Sequence, residues 1–333
     1  MRVLVTGAAG MIGRKLCERL ARDGRLGGAT IDALVMVDVA RPQAVEASFT
    51  VLADAADVAD PAMAPCLVAD RPDVVFHLAA VVSGEAELDF DKGYSINLDG
   101  TRLLFDAVRS ENLATGGGYK PRLVFASSVA VFGAPFPAAI GDEFHLTPLT
   151  SYGAQKAIGE LLLADYSRRG FFDGIGLRFP TICVRPGRPN AAASGFFSNI
   201  IREPLVGRDA VLPVPDTVRH THASPRSAVG MCLHAATIDL GAVGPRRSLT
   251  MPGVTVSVGE QIEALRRIAG EKAVALIRRE PDELVQRIVS GWPEAIEARR
   301  ARELGFQAED SFDAIIRAHV EDELGGQVGV QVS

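Results

Sequence analysis

Short apolar runs alternate with amphipathic stretches through the first half of the chain. The apolar runs cover residues 2–6, 33–37, 73–77 and 122–126, and turn residues bound them. Between them lie stretches with helical spacing of the apolar positions, the first from Met11 to about Asp23. Nearly unbroken apolar strands separated by helices are typical of a parallel sheet covered on both faces. The pattern therefore predicts an α/β protein with a doubly wound parallel sheet.

A glycine-rich turn, T-G-A-A-G-M-I-G, follows the first predicted strand and opens the first predicted helix. Gly7, Gly10 and Gly13 allow a tight turn and a close approach of the backbone to a pyrophosphate. Met11 and Ile12 stand at the amino terminus of the helix, which favours negative charge. The strand–turn–helix context predicts a dinucleotide-binding site of the Rossmann type.

The second predicted strand ends at Asp38, whose carboxylate can accept hydrogen bonds from the hydroxyls of an adenosine ribose. The same charge repels a 2′-phosphate, so the sequence predicts NAD rather than NADP as cofactor. Asp57 and Val58 follow the third strand, in position to border the adenine. Ala79 and Ala80 follow the fourth strand and are small enough to let the backbone approach the cofactor. We interpret His77, before them, as a packed strand-end residue and not as a catalyst.

The amino-acid composition changes after residue 178. Gly and Pro are frequent between residues 179 and 215, which suits loops closing over a substrate, and residues 259–324 form charged helical patterns. We therefore predict an NAD-binding domain over residues 1–178 and a smaller, mainly substrate-binding domain over residues 179–333. Segments around residues 205–250 are expected to return to the first domain.

Composition excludes several classes of partner. The net charge of −6 argues against a nucleic-acid-binding face. Four scattered cysteines without a C-x-x-C pair indicate neither a disulfide framework nor a metal site. Neither a signal peptide nor an uncharged apolar run of the ~18 residues that a membrane span needs is recognisable. We expect a cytoplasmic protein with a small-molecule substrate and without metal, nucleic-acid or membrane partners.

Tyr152 and Lys156 lie four residues apart in a predicted helix, and therefore on one face of it. A free tyrosine ionises near pH ~10, and a nearby cation lowers that pKa. We expect Lys156 and the nicotinamide ring of NAD⁺ to do this for Tyr152. Ser128, just past the strand at residues 122–126, is placed to hold a substrate hydroxyl against the Tyr152 oxygen.

The ordered motifs TGAAGMIG, HLAA, NLDGT, FASSVAVFG and SYGAQK resemble the extended short-chain dehydrogenases/reductases over nearly the whole chain. This NAD-dependent epimerase/dehydratase family includes the nucleotide-sugar epimerases. The resemblance implies an oxidoreductase in which Ser128, counted back from Phe132, is catalytic and Ser127 is not. It assigns Asn97 and Pro180 to the cofactor site, Asn97 with a mainly structural role. It also implies a homodimer joined through helices near residues 97–110 and 152–168.

Three departures from the nucleotide-sugar pattern bear on the substrate. Residues 182–187 replace a usual N-V-Y-G-P-like stretch. Thr181 stands where those enzymes usually have an asparagine, and Arg219 keeps the position of a phosphate-binding arginine without its usual neighbours. A retained arginine in altered surroundings suits a smaller anion such as a carboxylate. We predict Arg219 as the anion-binding residue, with Arg185 and Arg188 as rivals, and Ser83 as a further substrate contact.

The segments PTICVRPG, SGFFSNIIREPL and ARRARELGF resemble family members that act on short sugar acids. The resemblance implies oxidation of the C2 hydroxyl of a four-carbon acid such as D-erythronate to the 2-oxo acid. One alternative is a nucleotide-sugar 4-epimerase, which returns the hydride and forms no net NADH. A second alternative, an NAD-sensing regulator, is disfavoured because it needs neither Tyr152 nor Lys156.

Overall fold

The computed structural model describes residues 1–187 and 194–329. The strands in this part of the chain are β1 (Arg2–Thr6), β2 (Arg25–Leu26), β3 (Ala29–Thr30), β4 (Ala33–Asp38), β5 (Thr50–Ala55), β6 (Val74–His77), β7 (Arg122–Ser128), β8 (Asp173–Phe179), β9 (Thr181–Ile182), β10 (Ala210–Leu212), β11 (Arg219–Ala223), β12 (Ser248–Thr250), β13 (Val254–Ser257) and β14 (Ile277–Arg279).

The α-helices are α1 (Met11–Asp23), α2 (Met63–Val68), α3 (Ser83–Leu88), α4 (Phe90–Gly93), α5 (Thr101–Ala114), α6 (Ser151–Arg168), α7 (Gly195–Leu205), α8 (Pro225–Thr237), α9 (Leu240–Val243), α10 (Val258–Val274), α11 (Glu283–Val289), α12 (Arg299–Glu303) and α13 (Phe312–Glu323). A π-helical turn covers Tyr94–Gly100, and a 3₁₀ turn covers Val129–Val131.

Seven parallel strands form the central sheet of the described residues, in the order β12-β8-β7-β6-β1-β4-β5. Most apolar side chains of its inner strands are buried, and Val5 in β1 and Phe76 in β6 are fully so. The predicted doubly wound sheet is thus confirmed. The strand order reverses between β1 and β6, and open α/β sheets bind ligands at the carboxyl ends of the strands at such a point.

A second hydrophobic cluster lies beside the sheet. Its fully buried side chains include Phe197 of α7, Leu265 of α10 and Ile316 of α13. Residues 223–251 pack instead with the sheet, because α8 lies against α1 and β12 pairs with β8. The segment predicted to return covers residues 205–250, but residues 205–214 contribute to the second cluster, so the segment that rejoins the sheet begins later.

No helix in the described part of the chain combines the length and the apolar character that a bilayer crossing needs. Within the same residues, no group of three or more His, Cys, Asp or Glu side chains is gathered in a way that could hold a metal ion.

Candidate cofactor and catalytic site

The turn between β1 and α1 depends on two of its glycines. Gly7 has a φ of +76°, in the left-handed region. A Cβ atom on Gly7 would lie 2.6 Å from the backbone nitrogen of Ala79, and one on Gly13 would lie 2.1 Å from the carbonyl oxygen of Gly7. Only glycine therefore lets α1 and the end of β6 approach β1 this closely.

The amino terminus of α1 presents backbone donors without protein acceptors. Gly10 precedes the helix and has no side chain to cap it, and the first helical hydrogen bond is donated by the N–H of Arg14. Among the described residues, no acceptor takes the N–H groups of Met11, Ile12 and Gly13. Free donors at an exposed helix start fit the pyrophosphate of a dinucleotide.

Asp38 faces this turn from the end of β4. Its Oδ2 atom accepts a hydrogen bond from Ala9 N at 3.0 Å, and its Oδ1 atom accepts one from Val39 N at 2.7 Å. The carboxylate is held beside the turn with acceptor capacity to spare. Asp57 lies exposed after the neighbouring strand β5, in which Ala55 pairs with Asp38. The residues predicted for the adenosine half therefore lie at one edge of the sheet and fit NAD.

The end of β6 lines the opposite side of the turn. Ala79 and Ala80 are half-buried just beyond the strand. His77 is fully buried, with Nδ1 2.8 Å from Thr6 Oγ1 and Nε2 2.9 Å from Thr101 Oγ1. Burial lowers the pKa of His77 to about 3. The side chain is thus a neutral, packed residue, in the position interpreted from the sequence.

Asn97 is buried in the π-helical turn and fastens the loop after β6 to α6. Its Oδ1 atom accepts from Val81 N at 2.9 Å, and its Nδ2 atom donates to Val81 O at 3.2 Å and to Gln155 Oε1 at 2.7 Å. These protein contacts match the structural role implied by the resemblance. Val58 is buried nearby against Gly100, on which a Cβ atom would come within 3.0 Å of a Val58 methyl group.

Helix α6 approaches the turn after β7 closely enough to bring two hydroxyls together. The Thr150 side chain caps the helix by accepting from Gly153 N at 3.1 Å. A Cβ atom on Gly153 would lie 2.1 Å from Ala130 O, so glycine is required where the two segments touch. Tyr152, in the first turn of α6, is then close enough to Ser128 for the serine hydroxyl to favour the ionised phenol.

The two adjacent serines have different surroundings. Ser127 is buried and donates to Glu160 Oε1 at 2.5 Å, and Glu160 in turn accepts from Arg178 at 2.7 to 3.0 Å. Ser128 is half-buried and faces the phenol. Ser128, not Ser127, is therefore the serine that acts on the Tyr152 phenol. The buried Glu160–Arg178 pair was missed by the sequence analysis, although Glu160 stands four residues after Lys156 on the same helix face.

Lys156 is buried beneath Tyr152. Its Nζ atom donates to Ala126 O at 2.8 Å and lies 4.9 Å from the centre of the Phe125 ring and 5.8 Å from that of the Tyr152 ring. Burial lowers the pKa of Lys156 to about 8, against the opposing effect of Glu160. The ammonium group stands under the phenol ring and is anchored to the backbone of β7.

The expectation that Lys156 lowers the pKa of Tyr152 is wrong for the protein itself. Burial raises the pKa of Tyr152 to about 12, and the effects that oppose it are those of the Arg185 charge and the Ser128 hydroxyl. Loss of hydration disfavours the phenolate more than these contacts favour it. The charge of Arg185, which the sequence offered only as a rival anion-binding residue, thus acts on the phenol of Tyr152.

Thr181 begins β9 directly after the buried Pro180, and its hydroxyl is oriented by a histidine that the sequence analysis did not select. Thr181 Oγ1 lies 2.8 Å from His220 Nε2, and His220 Nδ1 lies 3.1 Å from Pro293 O. Because a carbonyl only accepts, Nδ1 carries the proton and Nε2 accepts from Thr181. Burial lowers the pKa of His220 to about 4, which keeps it neutral. The Thr181 oxygen is left as an acceptor for a ligand hydroxyl.

The three candidate arginines differ in their surroundings. Arg219, the preferred candidate, is exposed at the start of β11 and forms an ion pair with Glu260 at 3.1 Å. Arg185 is half-buried and donates from Nη2 to Ser194 Oγ at 2.8 Å. Arg188 lies outside the described residues. The preference for Arg219 therefore has no support in this geometry, because its charge is already paired at the surface.

Ser83 is half-buried at the first position of α3. The same helix is tied to the start of α6, because Glu87 Oε2 accepts from Ser151 N at 3.0 Å. This contact holds α3, and with it Ser83, beside the start of α6. That Ser83 contacts the substrate stays a prediction.

A family model described as the NAD dependent epimerase/dehydratase family matches residues 3–221. The chain belongs to this family. A D-erythronate dehydrogenase from Cupriavidus necator is 45% identical over 97% of this chain and 98% of that protein. A D-erythronate dehydrogenase from Haemophilus influenzae is 38% identical over 97% of this chain and 100% of that protein. The family and these relatives show an NAD-dependent oxidoreductase.

Solved structures agree on the fold. A crystal structure described as that of the nucleoside-diphosphate-sugar epimerase from Agrobacterium tumefaciens is 66% identical, with a TM-score of 0.96 over 98% of this chain and 95% of that chain. A GalE-like L-threonine dehydrogenase from Cupriavidus necator, in its holo form, superposes with a TM-score of 0.82 at 21% identity, over 97% of this chain and 99% of that chain.

Proposed function

We propose that this protein oxidises the C2 hydroxyl of a short sugar acid, D-erythronate by preference, to the 2-oxo acid. The observation that carries the proposal is the meeting of three groups: the Ser128 hydroxyl and the half-buried guanidinium of Arg185 both act on the phenol of Tyr152. The two hydroxyls suit a ligand hydroxyl, and the guanidinium suits a carboxylate. Together they fit a ligand in which a hydroxyl stands next to a carboxylate. The two D-erythronate dehydrogenases that align over nearly the full chain support the same substrate class.

The cofactor is held by the residues already described. The free N–H groups at the start of α1 bind the pyrophosphate, and Asp38 binds the adenosine ribose. Bound NAD⁺ supplies a hydride acceptor for C2. Tyr152 Oη accepts the proton of the C2 hydroxyl, while Ser128 Oγ holds that hydroxyl in place.

The phenol must lose its own proton before it can act as the base. Its pKa of about 12 in the protein alone makes this step unfavourable at neutral pH. In the protein alone, Arg185 is the positive charge that favours the ionised form. Once NAD⁺ is bound, the nicotinamide ring and Lys156, whose Nζ atom lies 5.8 Å from the centre of the Tyr152 ring, would add to it. Thr181 completes the site by accepting a hydrogen bond from another hydroxyl of the substrate, and Ser83 is a secondary contact.

A nucleotide-sugar 4-epimerase is the second candidate, favoured by the 66% identity to the Agrobacterium protein described as a nucleoside-diphosphate-sugar epimerase. An epimerase returns the hydride to the sugar and accumulates no NADH. The test is the absorbance of NADH formed from a panel of four-carbon sugar acids and from UDP-glucose and UDP-galactose, with epimerised sugar measured in parallel. NADH from D-erythronate alone supports the proposal, and epimerised UDP-sugar without NADH from any sugar acid refutes it.

We also propose a homodimer formed through α5 and α6. Apolar side chains stand exposed on these helices, with Leu161 of α6 65% exposed and Leu113 at the end of α5 56% exposed. Burial of such side chains against a second copy is favourable. Light scattering should give twice the monomer mass, and Leu161→Lys should lower it, whereas a monomeric wild-type protein contradicts this interface.

A further inference from the structure

We propose that Arg185 binds the carboxylate of the sugar acid and makes the enzyme selective for hydroxy acids over neutral polyols. The inference rests on the proposed function and assigns to one residue the anion recognition that the sequence had placed on Arg219.

The reacting carbon of a 2-hydroxy acid is bonded directly to its carboxylate. The group that binds the carboxylate must therefore stand next to the hydroxyl pair of Tyr152 and Ser128. Arg219 does not meet this requirement, because it lies at the start of β11, and β11 pairs with β9 only from His222 onward.

Arg185 lies on the chain that continues from β8, the neighbour of the strand that ends at Ser128. Ser128 is the register partner of Phe179 at the end of β8, and the chain then continues into β9. Arg185 follows β9 and folds back on it, so that its Nε atom donates to Ile182 O at 3.1 Å. The positive charge of Arg185 acts on the Tyr152 phenol, opposing the burial that raises the pKa of that group.

The guanidinium is fixed before any substrate arrives. Its Nη2 atom donates to Ser194 Oγ at 2.8 Å, in addition to the contact of Nε with Ile182. The backbone is held as well, because Arg185 N donates to Ser198 Oγ at 3.0 Å and Arg185 O accepts from Arg202 Nη1 at 2.9 Å. A side chain held in this way loses little conformational freedom when it binds an anion.

Within residues 1–187 and 194–329, the positive charge of Arg185 has no counter-charge. Among the described residues, no carboxylate oxygen lies within ion-pair distance of the guanidinium, and no protein acceptor takes the N–H groups of Nη1. Residues 188–193 and 330–333 contain neither Asp nor Glu, so no acidic side chain outside the described part can fill this role. The two histidines on which the Arg185 charge acts, His220 and His222, are kept neutral by burial. A half-buried guanidinium with open N–H groups beside the reacting position fits a ligand carboxylate.

The test compares Arg185→Met with the matched variant Arg219→Met on two substrates, D-erythronate and its neutral amide. Loss of a desolvated charge pair should raise the KM for D-erythronate at least about 30-fold in Arg185→Met. The KM for the amide should change less than about 3-fold, since no carboxylate is lost. Arg219→Met should change neither KM by more than about 3-fold, because surface ion pairs contribute little. Arg185→Lys should recover part of the binding, because it keeps the charge but not the planar fork.

Each possible result decides the proposal. Equal losses on both substrates in Arg185→Met would reveal a purely structural role, and a larger effect in Arg219→Met would return the carboxylate to that residue; either outcome overturns the inference. If the wild-type enzyme oxidises no sugar acid, the proposed function fails on its own. The inference is then decided by calorimetric titration of D-erythronate into the NAD⁺-loaded wild-type protein and Arg185→Met. Binding that is lost in the variant supports it, and absence of binding to the wild-type protein overturns it.

Discussion

Replacing Asp38 with asparagine separates the two roles of this carboxylate. Oδ2 accepts from Ala9 N at 3.0 Å, which fixes the glycine turn, and the negative charge is expected to face the ribose hydroxyls of NAD. An asparagine oxygen can still accept from Ala9, so the turn is kept while the charge is lost. Asp38→Ala removes both the acceptor and the charge and is the comparison variant.

The size of the effect follows from the contacts that change. A hydrogen bond to a charged group contributes about 1.5–3 kcal/mol and a neutral one about 0.5–1.5 kcal/mol, so the exchange weakens NAD binding by roughly 1–2 kcal/mol. For NADP, the variant lacks the half-buried carboxylate that repels the 2′-phosphate. The repulsion between two such charges at close contact is about 1 kcal/mol in water and about 4 kcal/mol near a protein surface. Together these changes amount to about 2–6 kcal/mol and reduce the preference for NAD over NADP by roughly 30-fold to about 10⁴-fold.

The assay is kcat/KM for NAD⁺ and NADP⁺ at subsaturating concentration, with the melting temperature as a control for the fold. We expect Asp38→Asn to melt close to the wild-type temperature and Asp38→Ala to melt lower. Comparable use of both cofactors by the wild-type enzyme would refute the reasoning. So would an unchanged cofactor preference in a fully folded Asp38→Asn variant.

Three further outcomes are expected. Tyr152→Phe should lower kcat by about 10²–10⁴-fold while NAD⁺ still binds in fluorescence titrations; near-normal turnover would remove Tyr152 from the mechanism. Lys156→Met should lower kcat yet raise the melting temperature, because burial brings the pKa of the ammonium group down to about 8 and a buried charge costs stability at neutral pH. A lower melting temperature would show that the hydrogen bond to Ala126 outweighs that cost. His77, with a pKa lowered to about 3, takes up its proton on unfolding, so the free energy of unfolding should fall as pH drops from about 6.5 towards 3, by up to about 1.4 kcal/mol per pH unit from this residue. Urea unfolding should show a smaller pH dependence in His77→Gln, and an equal dependence would contradict the assignment.

The cofactor half of the fold is predictable because local patterns determine it. The apolar run at residues 2–6 and the helix from Met11 to Asp23 have the predicted bounds, and the glycines between them are required by close backbone contacts. The strand predicted at residues 122–126 continues to Ser128, which places that serine at the strand end and not beyond it.

The substrate half is less predictable because its contacts join distant parts of the chain. β11 has the sequence R-H-T-H-A, which gives no apolar signal, yet His220 and His222 are fully enclosed and neutral. The pairing of Arg219 with Glu260 spans 41 positions, so nothing near Arg219 in the sequence reveals that its charge is already neutralised.

The pKa of the Tyr152 phenol also depends on more than spacing. The four-residue interval between Tyr152 and Lys156 identifies the pair, but the extent of desolvation around the phenol comes from the packing of α6 on the turn after β7. The charge that opposes this desolvation comes from Arg185, beyond β9, which no local motif connects to Tyr152.

The central claim is that hydride leaves C2 of a sugar acid, and isotopic labelling tests it most directly. D-erythronate carrying deuterium at C2 is incubated with the enzyme and NAD⁺, and the reduced cofactor is analysed by mass spectrometry. We expect deuterated NADH, formed more slowly than NADH from unlabelled substrate. Unlabelled NADH from this substrate would place the oxidised carbon elsewhere and refute oxidation at C2.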